Sequence, residues 1–176
     1  SVTKITKEKD LFQVTAGGKV YQSKVVIYGA GASPRKLGIE EESKYLGSGL
    51  SYCATCDGAF FKGKTVCVIG GGNTAIDDAI YLANICEKVY LIHRRDTFRA
   101  EPIKVKLLKE HENVEIITPA NVKEIKGEGK VEEVIIQHDN KEESLAVDGI
   151  FVAIGHVPNT ELIKDLVPLN DNGYVI

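Results

Sequence analysis

Residues 51–61, SYCATCDGAFF, set Cys53 and Cys56 two residues apart, follow them with Asp57 and end on two phenylalanines. Such a pair serves metal ligation, a structural staple or electron transfer. A zinc site needs a second ligand pair at metal spacing, and the two other cysteines supply none. Cys67 lies inside the strand-like run TVCVIG and Cys86 in a helical stretch, so both read as small core residues. A purely structural disulfide is disfavoured, because its loop would be very short and intracellular thiols are normally kept reduced. A reversible dithiol remains, in which one thiolate attacks a disulfide and its neighbour resolves the product. Asp57, on these residues alone, reads as a helix or turn cap.

The stretch that follows, KGKTVCVIGGGNTAIDDAIYLANICEKVYLIHRR, supplies a second kind of site. Residues 64–69 are apolar and β-branched, and Ala75, Ile76, Ala79, Ile80, Leu82 and Ala83 recur at helical period. Between them, Gly70, Gly71, Gly72, Asn73, Thr74 and Ala75 give the spacing G-x-G-x-x-A of a dinucleotide-binding turn. Gly70 permits the sharp turn, Gly72 leaves room for a pyrophosphate against the backbone, and Ala75 lets helix and strand pack closely. Phosphates would sit at the helix N-terminus, where free N–H groups and the dipole favour negative charge. The next strand, KVYLI, ends not in the acid that an NAD ribose requires but in His93, Arg94 and Arg95, with Arg99 close behind. Forked guanidinium donors suit a 2′-phosphate, so the expected nucleotide is NADP(H). The alternative is a solvated charge run, since HRRDTFRAE mixes both signs.

These residues imply a supporting frame. EPIKVKLLKEHE reads as an amphipathic helix with Pro102 in its first turn, and VEIITP as a third strand. NVKEIKGEGK, VEEVIIQHDN and ESLAVDGIFVAIG then read as a three-piece antiparallel meander. The opening of the chain repeats that pattern, with two short strands and then an apolar strand in VYQSKVVIYGAGASPRKL. Both ends thus run apolar strand, glycine, proline, which suggests one dinucleotide-binding fold inserted in another. Gly29-Ala30-Gly31 imitates a second fingerprint, but Pro34 holds its third position and the glycine-rich RKLGIEEESKYLGSG after it is a poor packed helix. That segment reads as a connection.

Composition narrows the rest. With 43% hydrophobic and 27% charged residues among 176, the chain can bury one sizeable core or one core plus fragments of a second. A formal net charge of −3 gives no basic footprint for nucleic acid or anionic membrane. Apolar runs are too short to span a bilayer and no signal peptide opens the chain, so a cytoplasmic location is expected. Met is absent throughout and the chain stops at NDNGYVI, as a strand begins after a turn, which leads us to expect a piece of something longer.

In order and spacing, CATCDG, GGGNTA, HRRDTFRAE and VAIGHVPNT closely resemble the low-molecular-weight, bacterial-type thioredoxin reductases over essentially the whole chain. The resemblance implies an α/β fold with a Rossmann-like dinucleotide-binding domain, a central parallel sheet with helices plus an antiparallel meander, of the two-dinucleotide-domain flavoprotein type. It implies residues 1–32 as a remnant of an FAD domain, 33–154 as the NADPH domain carrying the redox cysteines, and 155–176 as the return into the FAD domain. It further implies a homodimer in which NADPH reduces FAD, FAD reduces the Cys53–Cys56 disulfide, and the dithiol reduces thioredoxin. Cys56 would take electrons and open the exchange, Cys53 would resolve it, and Asp57 would move the proton. Gly155 and His156 join the cofactor-binding set, with an acid–base or a structural role for His156; His111 and His138 read as solvated. No FAD-type glycine fingerprint precedes residue 1, so this chain is expected to bind NADP(H) but to reduce thioredoxin poorly by itself. Alternatives are a peroxiredoxin-reducing flavoprotein and a non-catalytic NADP-binding module. A ferredoxin-dependent relative is disfavoured by the intact GGGNTA and HRR.

Overall fold

The computed structural model describes residues 1–176. Its contacts divide the chain into two compact units, Ser1–Ser33 with His156–Ile176, and Pro34–Gly155.

In the first unit, β1 (Val2–Glu8), β2 (Leu11–Ala16) and β3 (Lys19–Ser23) form an antiparallel meander in the order β1-β2-β3. Turns at Lys9-Asp10 and Gly17-Gly18 join them. A two-stranded ladder pairs β4 (Ala32–Pro34) with a late strand over residues 156–158. Asn159 gathers the loop before β4: its side chain donates to Ala30 O at 3.0 Å and accepts from Ser33 Oγ at 2.9 Å, while its carbonyl accepts from the Tyr28 hydroxyl at 2.5 Å. The apolar run VVIYGAG, expected as a strand, is irregular. No strand pairs with it, the Ser23 hydroxyl bends the chain by bonding both backbone groups of Val25, and Ile27 is 95% exposed. Apolar, β-branched residues do not hold an extended conformation without a ladder and a surface to cover.

The second unit begins with α1 (Glu42–Tyr45), β5 (Leu50–Ser51) and α2 (Ala54–Asp57), then a 3₁₀ turn over Gly58–Phe61. The expected unit follows as β6 (Thr65–Ile69), α3 (Asn73–Ala83), β7 (Lys88–Ile92), α4 (Pro102–Leu108) and β8 (Val114–Ile117). An antiparallel sheet of β9 (Ala120–Lys126), β10 (Glu133–His138) and β11 (Lys141–Ala146) comes next, then β12 (Gly149–Val152), and the chain leaves through β13 (His156–Pro158). Helix α4 ends at Leu108, one turn short of the span its sequence suggested.

The third piece of the expected meander divides. Its first half is β11; its second is β12, which returns to the middle of a parallel sheet ordered β5-β12-β6-β7-β8. Gly149–Val152 is buried at every position, the signature of a strand covered on both faces, where a meander strand would alternate. The two faces are filled differently. Val66 and Val68 of β6 pack with Val89 and Leu91 against Ala75, Ile76, Ala79 and Leu82 of α3. Cys67 and Ile69 point the other way, with Ile150 and Val152, onto Ile125, Val134 and Ile136 of the β9–β11 sheet. Helices thus cover one face and a second sheet the other, and the carboxyl ends of the parallel strands are left to present loops.

Candidate functional site

The glycine turn leaves β6 at the carboxyl edge of this sheet, anchored by the Gly70 N–H bonded to Ile92 O at 3.0 Å. Each glycine is needed for a different reason. A Cβ at Gly70 would strike the Ala153 carbonyl and stand 2.7 Å from the Ala75 Cβ, so strand, helix and β12 meet there at a distance only hydrogen allows. A Cβ at Gly71 would enter the imidazole of His93. At Gly72, which caps α3 in extended conformation, a Cβ would meet nothing within 4 Å, so the space above this backbone is open. The amides of the first turn of α3 face that space without helical partners.

A cleft of about 380 Å³ lies over the turn, lined by Gly70, Gly71, Gly72 and Thr74 on one side and by residues of β7, β9 and the end of β12 on the others. Arg94 and Arg99 reach it from the loop after β7, and Arg35 enters from the segment before α1, held by its N–H to Gly155 O at 2.9 Å. No acidic residue lines the cleft, and none of the chain's five ion pairs uses an arginine. Three arginines therefore line the cleft with no acidic residue among its walls, the electrostatic condition for an anionic ligand.

Other expected residues occupy different positions. His93 is in the wall, but its ring is buried beneath Gly71, stacks on Phe98 at 5.4 Å and has Nε2 3.2 Å from Thr97 O. Burial lowers its pKa, the Thr97 contact opposes that, and the nearby arginines add to the lowering, so the ring acts as a neutral wedge rather than a further cation. Arg95 is exposed and outside the lining, as is His156 in β13. Asn73 faces away from a ligand role: its amide donates to Glu101 Oε1 at 3.0 Å and accepts the Glu101 N–H at 2.8 Å. With the Arg99 N–H on Gly71 O at 2.8 Å, that clasp fixes the arginine loop to the turn. Gly155 lines the cleft. Arg35 escaped the sequence reading because it follows the proline that marks a connection; its charge at a segment entering the domain was the available signal.

Cys53 and Cys56 are joined as a disulfide at the start of α2, with Cys53 half-buried and Cys56 exposed. Ser51, level with Phe151 and Val68 in the parallel register, leads into this pair. Two strand spacings, about 10 Å, separate that exit from the glycine turn. Ser51 is buried, donates its hydroxyl to Asp57 Oδ2 at 2.6 Å and accepts the Cys53 N–H at 3.0 Å. The Asp57 N–H in turn bonds Cys53 O at 3.1 Å. Sequence reasoning missed Ser51, whose place two residues before Cys53 gave no spacing signal. The preceding Tyr52 donates to Glu42 Oε1 at 2.6 Å, and the buried Glu42 carboxylate also accepts the amides of Leu37 (2.9 Å) and Gly38 (3.1 Å). Behind the pair, Phe61 sets its edge on Phe151 at 5.3 Å, which fixes the 3₁₀ turn to β12. Cys67 and Cys86 are buried thiols, Cys86 against Phe61 O at 3.3 Å.

Known proteins resemble this chain in sequence and fold. The chain is 45% identical over 168 residues to a thioredoxin reductase of Helicobacter pylori, covering 93% of this chain and 54% of the relative. A glucosaminate ammonia-lyase of Pseudomonas fluorescens is 44% identical over 170 residues, 94% of this chain and 53% of the relative. Among solved structures, Lactococcus lactis thioredoxin reductase superposes with a TM-score of 0.88 at 34% identity, over 99% of this chain and 59% of that one. The chain therefore spans about half the length of the curated relatives it matches. The profile of the pyridine nucleotide-disulphide oxidoreductases matches residues 1–176, and the chain belongs to that family.

Proposed function

We propose that this chain is the NADP(H)-binding and redox-disulfide portion of a thioredoxin reductase. The observation that carries the reading is the cleft itself: Arg35, Arg94 and Arg99 line it, without an acid, beside an open glycine turn. An NADP phosphate fits this donor set. The pyrophosphate would lie over Gly72 and the first turn of α3, and the 2′-phosphate against Arg94 and Arg99, with Arg95 joining by a rotamer change. When bound, the nucleotide supplies the hydride pair.

A flavin finds no comparable seat here. Gly29-Ala30-Gly31 runs into β4 rather than a helix, so no helix N-terminus receives a pyrophosphate, and no step is assigned through FAD in this chain. Residues 1–33 and 156–176 read as parts of a flavin domain completed by sequence outside this chain, and a cytoplasmic homodimer is the proposed setting.

In the dithiol state the exposed Cys56 thiolate attacks the disulfide of thioredoxin, and Cys53 resolves the mixed disulfide and restores the Cys53–Cys56 bond. Asp57, held beside the pair, takes the proton from one sulfur and gives it to the departing one.

The test is nucleotide binding to the chain with Arg94 and Arg99 changed to Ala. NADPH affinity should fall by about 1–3 kcal/mol per lost charged contact while NADH affinity stays nearly level. Equal losses for both nucleotides would refute the 2′-phosphate assignment. Assaying the longer protein against thioredoxin and a peroxiredoxin disulfide distinguishes the two reductase readings, and activity toward neither identifies a binding module.

A further inference from the structure

Resting on the reading of Asp57 as the proton carrier, we infer that Ser51 is a positioning residue that sets the Asp57 carboxylate for proton transfer at the Cys53–Cys56 pair. Ser51 is 6% exposed, the least accessible polar side chain in the redox segment, and its hydroxyl stands where two requirements meet. It donates to Asp57 Oδ2 at 2.6 Å and accepts the Cys53 N–H at 3.0 Å, tying the carboxylate to the backbone of the first cysteine. The hydrogen bond occupies one carboxylate oxygen and leaves Oδ1 free of protein donors, available for a proton that travels to sulfur. Ser51 itself is fixed by the sheet, since its register partner in β12 is Phe151, which packs on Phe61 at the far end of the same turn.

The chemistry balances without any other reactant. Starting from Cys56 and Cys53 as thiols and Asp57 as the carboxylate, Cys56 passes its proton to Asp57 and attacks a substrate disulfide RS–SR. Its S–S bond breaks, Cys56–S–SR forms, and RS⁻ takes the Asp57 proton. The Cys53 thiol passes its proton to the Asp57 carboxylate and attacks the Cys56 sulfur. The protein disulfide closes, and the second RS⁻ leaves with that proton. Two electrons and two protons move from the dithiol to the substrate, and Asp57 ends as a carboxylate. Each transfer needs Asp57 aimed at sulfur, which is the orientation Ser51 enforces.

The experiment uses this chain, reduced and freed of reductant, with two probes: oxidised glutathione, whose departing thiolate is basic and needs a proton, and 5,5′-dithiobis(2-nitrobenzoate), whose departing thiolate is acidic and does not. Asp57→Asn should slow exchange with oxidised glutathione on the order of 100-fold and Ser51→Ala about tenfold, and both should slow the aromatic probe severalfold less, because only proton removal from the attacking thiols then needs Asp57. The double variant should be no slower than Asp57→Asn alone, and Ser51→Thr, which keeps the hydroxyl, should restore most of the rate. An unchanged Asp57→Asn rate overturns the proton-carrier reading and the inference with it. A slow Asp57→Asn protein beside a wild-type Ser51→Ala overturns the Ser51 role alone. So does a Ser51→Ala loss that is equal for both probes or adds to that of Asp57→Asn, because a loop merely loosened would behave that way.

Discussion

Replacing Gly72 with Ala isolates the space over the glycine turn from the stability of the turn. Gly72 has φ −98° and ψ −179°, conformations open to any residue, and the added methyl would meet no atom within 4 Å. Two small effects on folding oppose each other. Alanine is a poorer N-cap than glycine by roughly 0.5–1 kcal/mol, while its stiffer unfolded chain returns about 0.4–1 kcal/mol. The net change is within about 0.5 kcal/mol, or under about 2 °C in Tm for a chain of this size. Nucleotide binding should respond very differently. The methyl occupies the layer where a pyrophosphate would rest on the amides, and NADPH affinity should fall at least about tenfold, or ~1.4 kcal/mol. Gly71→Ala is the contrasting perturbation: its methyl enters the buried His93 ring, so overpacking of about 1–3 kcal/mol lowers Tm by roughly 2–12 °C. Adding His93→Ala to Gly71→Ala should recover part of that loss, because the clash disappears. Fluorescence titration with NADPH and differential scanning calorimetry on the three proteins settle the matter. A Gly72→Ala protein of native stability that binds NADPH as wild type does would falsify the placement of phosphate over this turn.

Three further outcomes are expected. Glu42→Ala leaves the Leu37 and Gly38 amides and the Tyr52 hydroxyl without their acceptor, at a cost of about 3 kcal/mol measurable by denaturant titration; a loss below about 1 kcal/mol would show that water replaces the carboxylate. Burial, reinforced by Asp77, lifts the Asp78 carboxyl to about 6. The folded protein thus keeps a proton that the unfolded chain, with its carboxyl near ~3.9, has released, so Asp78 weakens the fold as pH rises from about 4 to about 6. Asp78→Asn should raise Tm at pH 7 and leave it level below about pH 4; an equal effect at both would assign the gain to packing. Burial also pushes the Cys86 thiol up to about 11 and raises that of Cys67. Alkylation of the reduced native chain followed by mass spectrometry should therefore mark Cys53 and Cys56 only, and prompt labelling of Cys67 would contradict its place in the core.

The parts that repeat locally were legible in the sequence. The apolar run of β6, the helical spacing of Ala75, Ile76, Ala79 and Leu82, and the strand KVYLI each announce themselves within a dozen residues, because burial on known faces dictates their period. What escaped depends on partners distant in sequence. ESLAVDGIFVAIG carries no break that a period reveals, yet its halves join different sheets, since β12 is defined by β5 and β6 on either side of it. VVIYGAG looks like a strand by composition and is irregular because composition says nothing about whether a ladder is present. His93 read as a cation by type and is a buried wedge by position, while Arg35 and Ser51 gained meaning only from the groups they face.

The two working parts hang from unequal supports. The dinucleotide turn grows from β6, paired on both sides by β12 and β7, whereas the disulfide grows from β5, two residues long and at the rim. Rim segments open locally at lower free energy than central ones. Deuterium uptake should therefore reach the amides around Cys53 well before those of Val68 and Ile69. On the proposed reading, a bulky reaction partner would be met by the part of the scaffold that yields first, and a small ligand gripped by the part that yields last.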